Sequence, residues 1–243
     1  MDNPPVNALP IADTRDLARR LDAVAGRDEV RAVVLTATGR GFCAGVDIKE
    51  MQALPDHEGI LGVNAACYEA FRAVYECAVP VVAAVNDFCL GTGIGLAGSA
   101  DVVVAAEGAA FGLPEVDNGA LGAATHLERL VPEKHARWML YSCEPVRAER
   151  LREWGTVLEV VPLDELEACA RRVAGVIAAK SPRTIRAAKR SLAGIEPVDP
   201  RRAYRFEQGF TFELNLAGVG DEARRAFLAG ERDPNPAADR DTP

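Results

Sequence analysis

Two apolar segments, each followed by a run of small residues, constrain this chain more than anything else in it. Ala32–Ala37 leads into Gly39-Arg-Gly-Phe-Cys-Ala-Gly-Val-Asp-Ile-Lys-Glu-Met51. About fifty residues on, Val79–Val85 leads through Asn86–Leu90 into Gly91-Thr-Gly-Ile-Gly-Leu96. A nearly continuous apolar run of this length reads as a parallel strand covered on both faces. The small residues behind each strand let another backbone or a ligand approach closely. The pattern therefore predicts an α/β fold with parallel strands, and with its special turns at strand ends.

The rest of the chain fits around these strands. Leu17, Leu21 and Val24 recur at helical spacing over 13–26, with Gly26 as the stop. Residues 50–60, containing Pro55, Asp56, His57 and Gly59, read as a mobile loop. A helix carrying Tyr68, Phe71 and Tyr75 then runs to about Cys77, and a short helix of small residues follows the second Gly turn. Strands are predicted over 101–106 and 156–161, and helices over 122–130, 134–141 and 147–154. From Leu163 only helical patterns remain, broken at Ser181-Pro182, Pro197, Pro200 and Gly218–Gly220. The expected division is a core over 1–162, a helical region over 163–230 and a disordered Pro- and Asp-rich tail over 231–243.

Composition excludes several classes. With 49% hydrophobic residues in 243, the chain can bury a substantial core. Its 36 carboxylates against 28 Lys and Arg give a net charge of −8, which argues against a general nucleic-acid binder. Cys43, Cys67, Cys77, Cys89, Cys143 and Cys169 are scattered among apolar neighbours with no Cys-x-x-Cys pair, so buried reduced thiols are expected and a metal site is not. Met1-Asp-Asn-Pro-Pro5 lacks the basic start and apolar run of a signal peptide, and no apolar run reaches the roughly 20 residues of a membrane span. The expectation is a cytoplasmic protein with neither nucleic acid nor membrane as partner.

The two Gly turns also suggest chemistry. The peptide N–H groups of Val46 and Thr92 are candidate oxyanion donors, able to hold a thioester carbonyl while charge builds on it; one such donor is worth about 3 kcal/mol of barrier. If Thr92 opens a helix, its N–H is an unpaired first-turn donor at the positive end of the dipole. Two ordinary strand-to-helix turns would give the same pattern. Gly93-Ile-Gly-Leu-Ala-Gly98 also fits the dinucleotide fingerprint, with Glu115 and Asp117 about 20 residues on. Yet Asn86–Leu90 separates it from the strand end, and no second βαβ half follows. Glu115, after Pro114 and near Phe111 and Leu113, is a candidate general base with a raised pKa, or else a capping or surface carboxylate. His126 closes the small-residue run Gly119-Ala-Leu-Gly-Ala-Ala-Thr-His and is either a second catalytic group or a structural histidine.

Phe42-Cys-Ala-Gly-Val-Asp47, Pro80-Val-Val-Ala-Ala-Val-Asn86 and Phe111-Gly-Leu-Pro-Glu-Val116 stand here in the order and spacing of the enoyl-CoA hydratase/isomerase (crotonase) superfamily. The chain resembles that family to about Phe227. The resemblance implies a spiral of ββα units, a helical C-terminal region used in trimer contacts, and a homotrimer or hexamer. It implies coenzyme A as the acyl carrier, with no permanently bound cofactor. It also implies an oxyanion hole at Val46 and Thr92, an adenine pocket at Ala44, Asp47 and Ile48, and Phe227 covering the adenine. Relatives usually carry a further strand before Pro4, so an uncovered sheet edge is expected here.

Departures from the family pattern narrow the reading. Hydratases use two glutamates; the second matches Glu115, but the first position holds Gly95. Thr92 replaces the usual Gly, and Gly230 replaces a Lys three residues after Phe227, leaving the CoA phosphates to a nearby Arg. Residues 45–52, 71–80, 119–126 and 207–219 are similar to one branch, the actinobacterial CoA-ester hydrolases that open the last steroid ring. That likeness implies hydrolysis of a carbon–carbon bond in a bicyclic diketo acyl-CoA, with Glu115 and His126 delivering water. Tyr68, Phe71 and Tyr75, with Gly95 and Gly119, are then expected to form the acyl pocket. The alternatives are an enoyl-CoA hydratase or isomerase using Glu115 alone, and a non-catalytic acyl-CoA-binding protein.

Overall fold

The computed structural model describes residues 1–197 and 199–231. The expected disordered tail lies outside the described residues except for Glu231. Four parallel strands form the largest sheet: β2 (Val33–Leu35), β4 (Val81–Val85), β6 (Val102–Ala106) and β9 (Val157–Val161), in the order β2-β4-β6-β9. β4 and β6 sit in the middle, and their alternate side chains serve two cores. Val81, Ala83, Val85, Val103 and Ala105 face the main core, while Val82, Ala84, Val104 and Ala106 face a second one. Leu166, Cys169, Ala170 and Val173 of helix α8 (Leu166–Ala178) cover that second face. Cover on both sides is why these strands are apolar without alternation.

Between the long strands the chain makes short ones. β5 (Cys89–Leu90) pairs in parallel with β7 (Ala110–Gly112), and β7 pairs antiparallel with β8 (Val146–Arg147). β1 (Ala8–Leu9) pairs in parallel with β3 (Gly45–Val46), and a bridge joins Cys43 to Cys89. Each passage thus runs long strand, short strand, helix. After β3 come α2 (Ile48–Ala53) and α3 (Glu58–Tyr75), and after β5 comes α4 (Thr92–Ser99). The expected loop over 50–60 is a correction: Asp47 Oδ1 accepts from the N–H groups of Lys49 and Glu50 and starts α2, leaving only 54–57 outside helix.

Around this frame lie α1 (Ile11–Ala23), α5 (Ala124–Leu127), α6 (Glu133–Ser142), α7 (Ala148–Glu153), α9 (Pro182–Ile195), α10 (Pro200–Leu216) and α11 (Val219–Leu228). The predicted breaks at Pro182 and Pro200 are helix starts. Each Pro occupies the first turn, where its missing N–H is harmless, behind a capping Ser181 or Asp199. The expected helix over 122–130 is shortened to the single turn α5, because Ala123 takes a left-handed conformation ahead of it. Gly93–Gly98 lies wholly inside α4 and is buried, so it forms no phosphate-binding turn.

Helix α10 inverts the usual amphipathic pattern. Its buried face carries Tyr204, Glu207, Gln208, Thr211 and Asn215, whereas Phe206 and Leu216 are each 74% exposed and Phe210 is exposed beside them. The helix therefore turns polar side chains inward and apolar ones outward.

The contact of α4 with α5 has no slack. A Cβ on Gly98 would stand 2.3 Å from the His126 carbonyl oxygen. Gly98→Ala is expected to lower stability by about 1–3 kcal/mol, the usual cost of overpacking. Urea unfolding checks this, and an unchanged midpoint would contradict the packing described.

Candidate active site

The short strands bring three turns side by side. Cys43 bridges Cys89, Cys89 pairs with Phe111, and Leu90 pairs with Gly112. Three residues beyond Cys43, Cys89 and Gly112 stand Val46, Thr92 and Glu115. Neighbouring strands lie about 4.8 Å apart, so residues three beyond Cys43, three beyond Cys89 and four beyond its partner Phe111 come out side by side. The glycines confirm the closeness. A Cβ on Gly91, whose φ is +53°, would meet Glu115 Oε1 at 2.5 Å and Gly45 Cα at 3.4 Å.

Both backbone donors are available. The Asp47 N–H donates to the Leu9 carbonyl at 3.1 Å. Alternate residues of a parallel strand point their N–H groups to opposite edges, so the Val46 N–H faces away from β1. Thr92 is the first residue of α4, and its N–H is one of the four that a helix leaves without an internal partner. Its hydroxyl is turned away, 3.8 Å from Cys67 Sγ.

Glu115 is held by its own backbone. Its carbonyl accepts from the N–H groups of Asn118 at 2.9 Å and Ala120 at 3.0 Å, which curls the chain under the side chain. The residue is partly buried, but its Oε2 is sealed from solvent and has no hydrogen-bond partner among the described residues. Burial pushes the carboxyl up to about 8, against a smaller pull from its own N–H and with a small push from the charge of Glu207. A carboxyl with this pKa exchanges protons near neutrality.

Val46, Thr92 and Glu115 line one cavity of about 120 Å³, partly open to solvent. Ala44 and Ile48, expected at the adenine, and Phe71, expected at the acyl group, also line it. Helix α3 contributes a stripe at helical spacing, Ile60, Val63, Asn64, Cys67 and Phe71. Tyr68 falls off that stripe and lies under the Arg205 guanidinium, 4.7 Å from the ring centre. Tyr75 is a turn too far along; its hydroxyl donates to Glu196 Oε2 at 2.9 Å in a separate groove. Neither tyrosine reaches the cavity.

His126 is a further correction. Its ring packs against Phe71 (centroids 4.8 Å apart) and Tyr204 (5.1 Å) and does not line the cavity. Burial, helped by the charge of Arg129, holds it down at about 3, so it is neutral, and its Nδ1 is buried without a partner among the described residues. Gly95 is also outside the lining, and a Cβ there would stand 2.0 Å from Phe71 Cζ. Phe71 therefore fills the space into which a side chain at 95 would project. Gly119 brings α11 close instead, since a Cβ on it would meet the Val219 carbonyl at 2.8 Å. Asp47 caps α2, and Phe227 is half-buried on α11; neither lines the cavity.

Sequence reasoning missed the buried polar face of α10 and, among the described residues, the one cation in the lining. Glu207 accepts from the N–H groups of Ala124 at 2.8 Å and Thr125 at 3.2 Å, so it caps α5 from another helix. Tyr204 and Thr211 line the cavity, and so does Arg224 of α11. A polar run at 204, 207, 208, 211 and 215 beside exposed Phe206 and Phe210 was the available signal. Among the described residues no group of His, Cys, Asp and Glu is arranged to hold a metal ion, and no helix is long and apolar enough to cross a membrane.

Known proteins share this arrangement. The sequence profile of the enoyl-CoA hydratase/isomerase family matches residues 1–210. A (7aS)-7a-methyl-1,5-dioxo-2,3,5,6,7,7a-hexahydro-1H-indene-carboxyl-CoA hydrolase of Rhodococcus jostii is 56% identical over 94% of this chain and 88% of its own. The protein of the same name from Mycobacterium tuberculosis is 56% identical over 94% of this chain and 92% of its own. The crystal structure of an enoyl-CoA hydratase/isomerase from Pseudoalteromonas atlantica superposes with a TM-score of 0.81 at 26% identity, over 93% of this chain and 90% of that one. With the spiral of paired turns and the profile in agreement, this chain belongs to the enoyl-CoA hydratase/isomerase family.

Proposed function

We propose that this protein hydrolyses a carbon–carbon bond in a bicyclic diketo acyl-CoA, opening a ring while coenzyme A stays attached. One observation carries the reading. Among the described residues that line the cavity, Glu115 is the one carboxylate, beside two backbone donors, and Phe71 fills the space a second carboxylate at position 95 would need. That arrangement suits activation of one water rather than the two-carboxylate clamp of a hydratase. The relatives at 56% identity act, by name, on a methyl-bearing dioxo bicyclic carboxyl-CoA, the kind of remnant left once a steroid has lost its A and B rings.

The chemistry follows from the positions. The thioester oxygen lies between the N–H groups of Val46 and Thr92. Ionised Glu115 takes a proton from water as the water oxygen adds to the ketone of the five-membered ring. The ring bond to the methyl-bearing carbon breaks, and its electron pair passes through the conjugated enone to the thioester oxygen. Two preorganised donors hold that charge, each worth about 3 kcal/mol. Protonated Glu115 returns its proton to the methyl-bearing carbon, so the net change is one water added and one carboxylic acid formed. His126, neutral and behind Phe71, keeps the wall in place and moves no proton. Ala44 and Ile48 border the CoA chain, and Phe227 covers the adenine at the mouth.

The reading carries an assembly with it. Phe206, Phe210 and Leu216 of α10, with Leu192 and Ile195 of α9, are exposed. They suit a second copy of this chain, in a cytoplasmic homotrimer or a hexamer of two trimers. Sedimentation velocity should give a trimer or hexamer, and a monomer would contradict it.

Hydration and ring opening both add one water, so mass alone does not separate them. Methyl esterification of the product counts carboxyl groups. Ring opening predicts one new carboxyl, and added water without one returns the protein to the hydratases. Glu115→Gln should lower kcat about 10²-fold or more. Because the base must be ionised and its carboxyl titrates at about 8, wild-type kcat/KM should rise with pH and level off above about 8. Near-normal turnover by the variant, or a flat profile, would remove Glu115 from the mechanism.

A further inference from the structure

Helix α11 lays one cation against the cavity that the mechanism above does not use. Arg224 is 5% exposed and lines the same cavity as Glu115. Its Nε donates to Gln52 Oε1 at 2.9 Å, and its Nη2 donates to Asn215 Oδ1 at 2.8 Å and to the Asp221 carboxylate. Among the described residues its Nη1 donates to no acceptor. Asn215 is itself anchored, its Nδ2 donating to the Thr211 carbonyl at 2.8 Å. Gly220 provides the room, since a Cβ there would stand 2.8 Å from Nη1 and 2.9 Å from Asn215 Oδ1.

Stability does not account for this arrangement. Burying a guanidinium is costly, and well-packed apolar residues in place of a buried ion pair are often neutral or stabilising. The counter-charge is weak as well, because half of the Asp221 side chain, 52%, lies in solvent. What remains is a guanidinium in the cavity wall whose Nε and Nη2 are fixed by protein, leaving Nη1 over Gly220 with no acceptor among the described residues. That geometry matches a carboxylate, which takes charge-assisted and directional hydrogen bonds from arginine. The oxyanion donors belong to β3 and α4, whereas Arg224 stands on the wall where α2, α10 and α11 meet.

We infer that Arg224 recognises a carboxylate at the end of the acyl group remote from the thioester. The inference rests on the ring-opening reading in one respect: that reaction turns a neutral ketone into such a carboxylate, on a short arm free to swing. Arg224 is then the specificity-determining residue for the opened product and for other acyl-CoAs with a distal acid.

Titration calorimetry with hexanoyl-CoA and adipyl-CoA tests this, since the two have equal chain length and differ in the terminal carboxylate. Wild type should bind adipyl-CoA about 10- to 100-fold more tightly, the worth of one charged hydrogen bond. Arg224→Met should bind both esters alike, with the wild-type affinity for hexanoyl-CoA, and Arg224→Lys should keep part of the preference. Equal binding of the two esters by wild type, or a full preference surviving in Arg224→Met, overturns the inference. So does lost hexanoyl-CoA binding in an Arg224→Met protein with wild-type circular dichroism and Tm, which makes Arg224 a brace for α11. Neither probe has a ring to open, so this outcome is independent of carboxyl counting on the bicyclic ester, which decides the ring-opening reading alone.

Discussion

The lateral pairing of short strands is the constraint on which this site depends. Cys43, Cys89 and Phe111 lie across from one another, and each chain passage then turns within three or four residues. The alignment sets Val46, Thr92 and Glu115 on the wall of one cavity. Gly45 and Gly91 are needed because the turns almost touch, with only 3.4 Å between Gly45 Cα and the Cβ that Gly91 lacks. Everything further out serves this alignment. β4 and β6 hold its spacing from below, α3 and α4 wall the cavity, and α10 and α11 close over it.

Removing a carboxylate is as informative as supplying one. With Phe71 against Gly95, one side of the cavity becomes apolar and the remaining carboxyl loses a polar neighbour. Burial then raises Glu115 to about 8, which makes it a stronger base once ionised but ionised in only a minority of molecules at neutral pH. The same shift has a cost in stability. A carboxyl whose pKa is raised in the folded state binds more protons there than in the unfolded chain. Stability from this group is therefore full at low pH and falls as pH rises from the unfolded carboxylate value towards about 8.

Much of this was legible in the sequence because it rests on local backbone chemistry. The Gly-rich turns, the doubly covered strands and Glu115 behind Pro114 follow from steric freedom and apolar runs. What was not legible depends on which helix face meets which neighbour. Tyr68 and Phe71 look equivalent in sequence, yet only Phe71 continues the stripe through Ile60, Asn64 and Cys67 that faces the cavity. His126 follows small residues that do line the cavity, but the left-handed Ala123 and the single turn of α5 rotate its ring inward. Asp47, expected beside the ligand, also caps α2 with its side chain. Arg224 gives no local signal, because its burial is set by Gly220 and by Asn215 on the preceding helix.

The most direct test of the central claim is the proton NMR signal of the methyl group on the bicyclic acyl-CoA during turnover by wild-type protein. In the substrate this methyl sits on a carbon without hydrogen and gives a singlet. Cleavage of the ring bond and proton return to that carbon predict a doublet in ordinary water and a singlet again in deuterium oxide. A methyl that stays a singlet in ordinary water while one water is added would mean hydration with the ring intact, and would contradict the account.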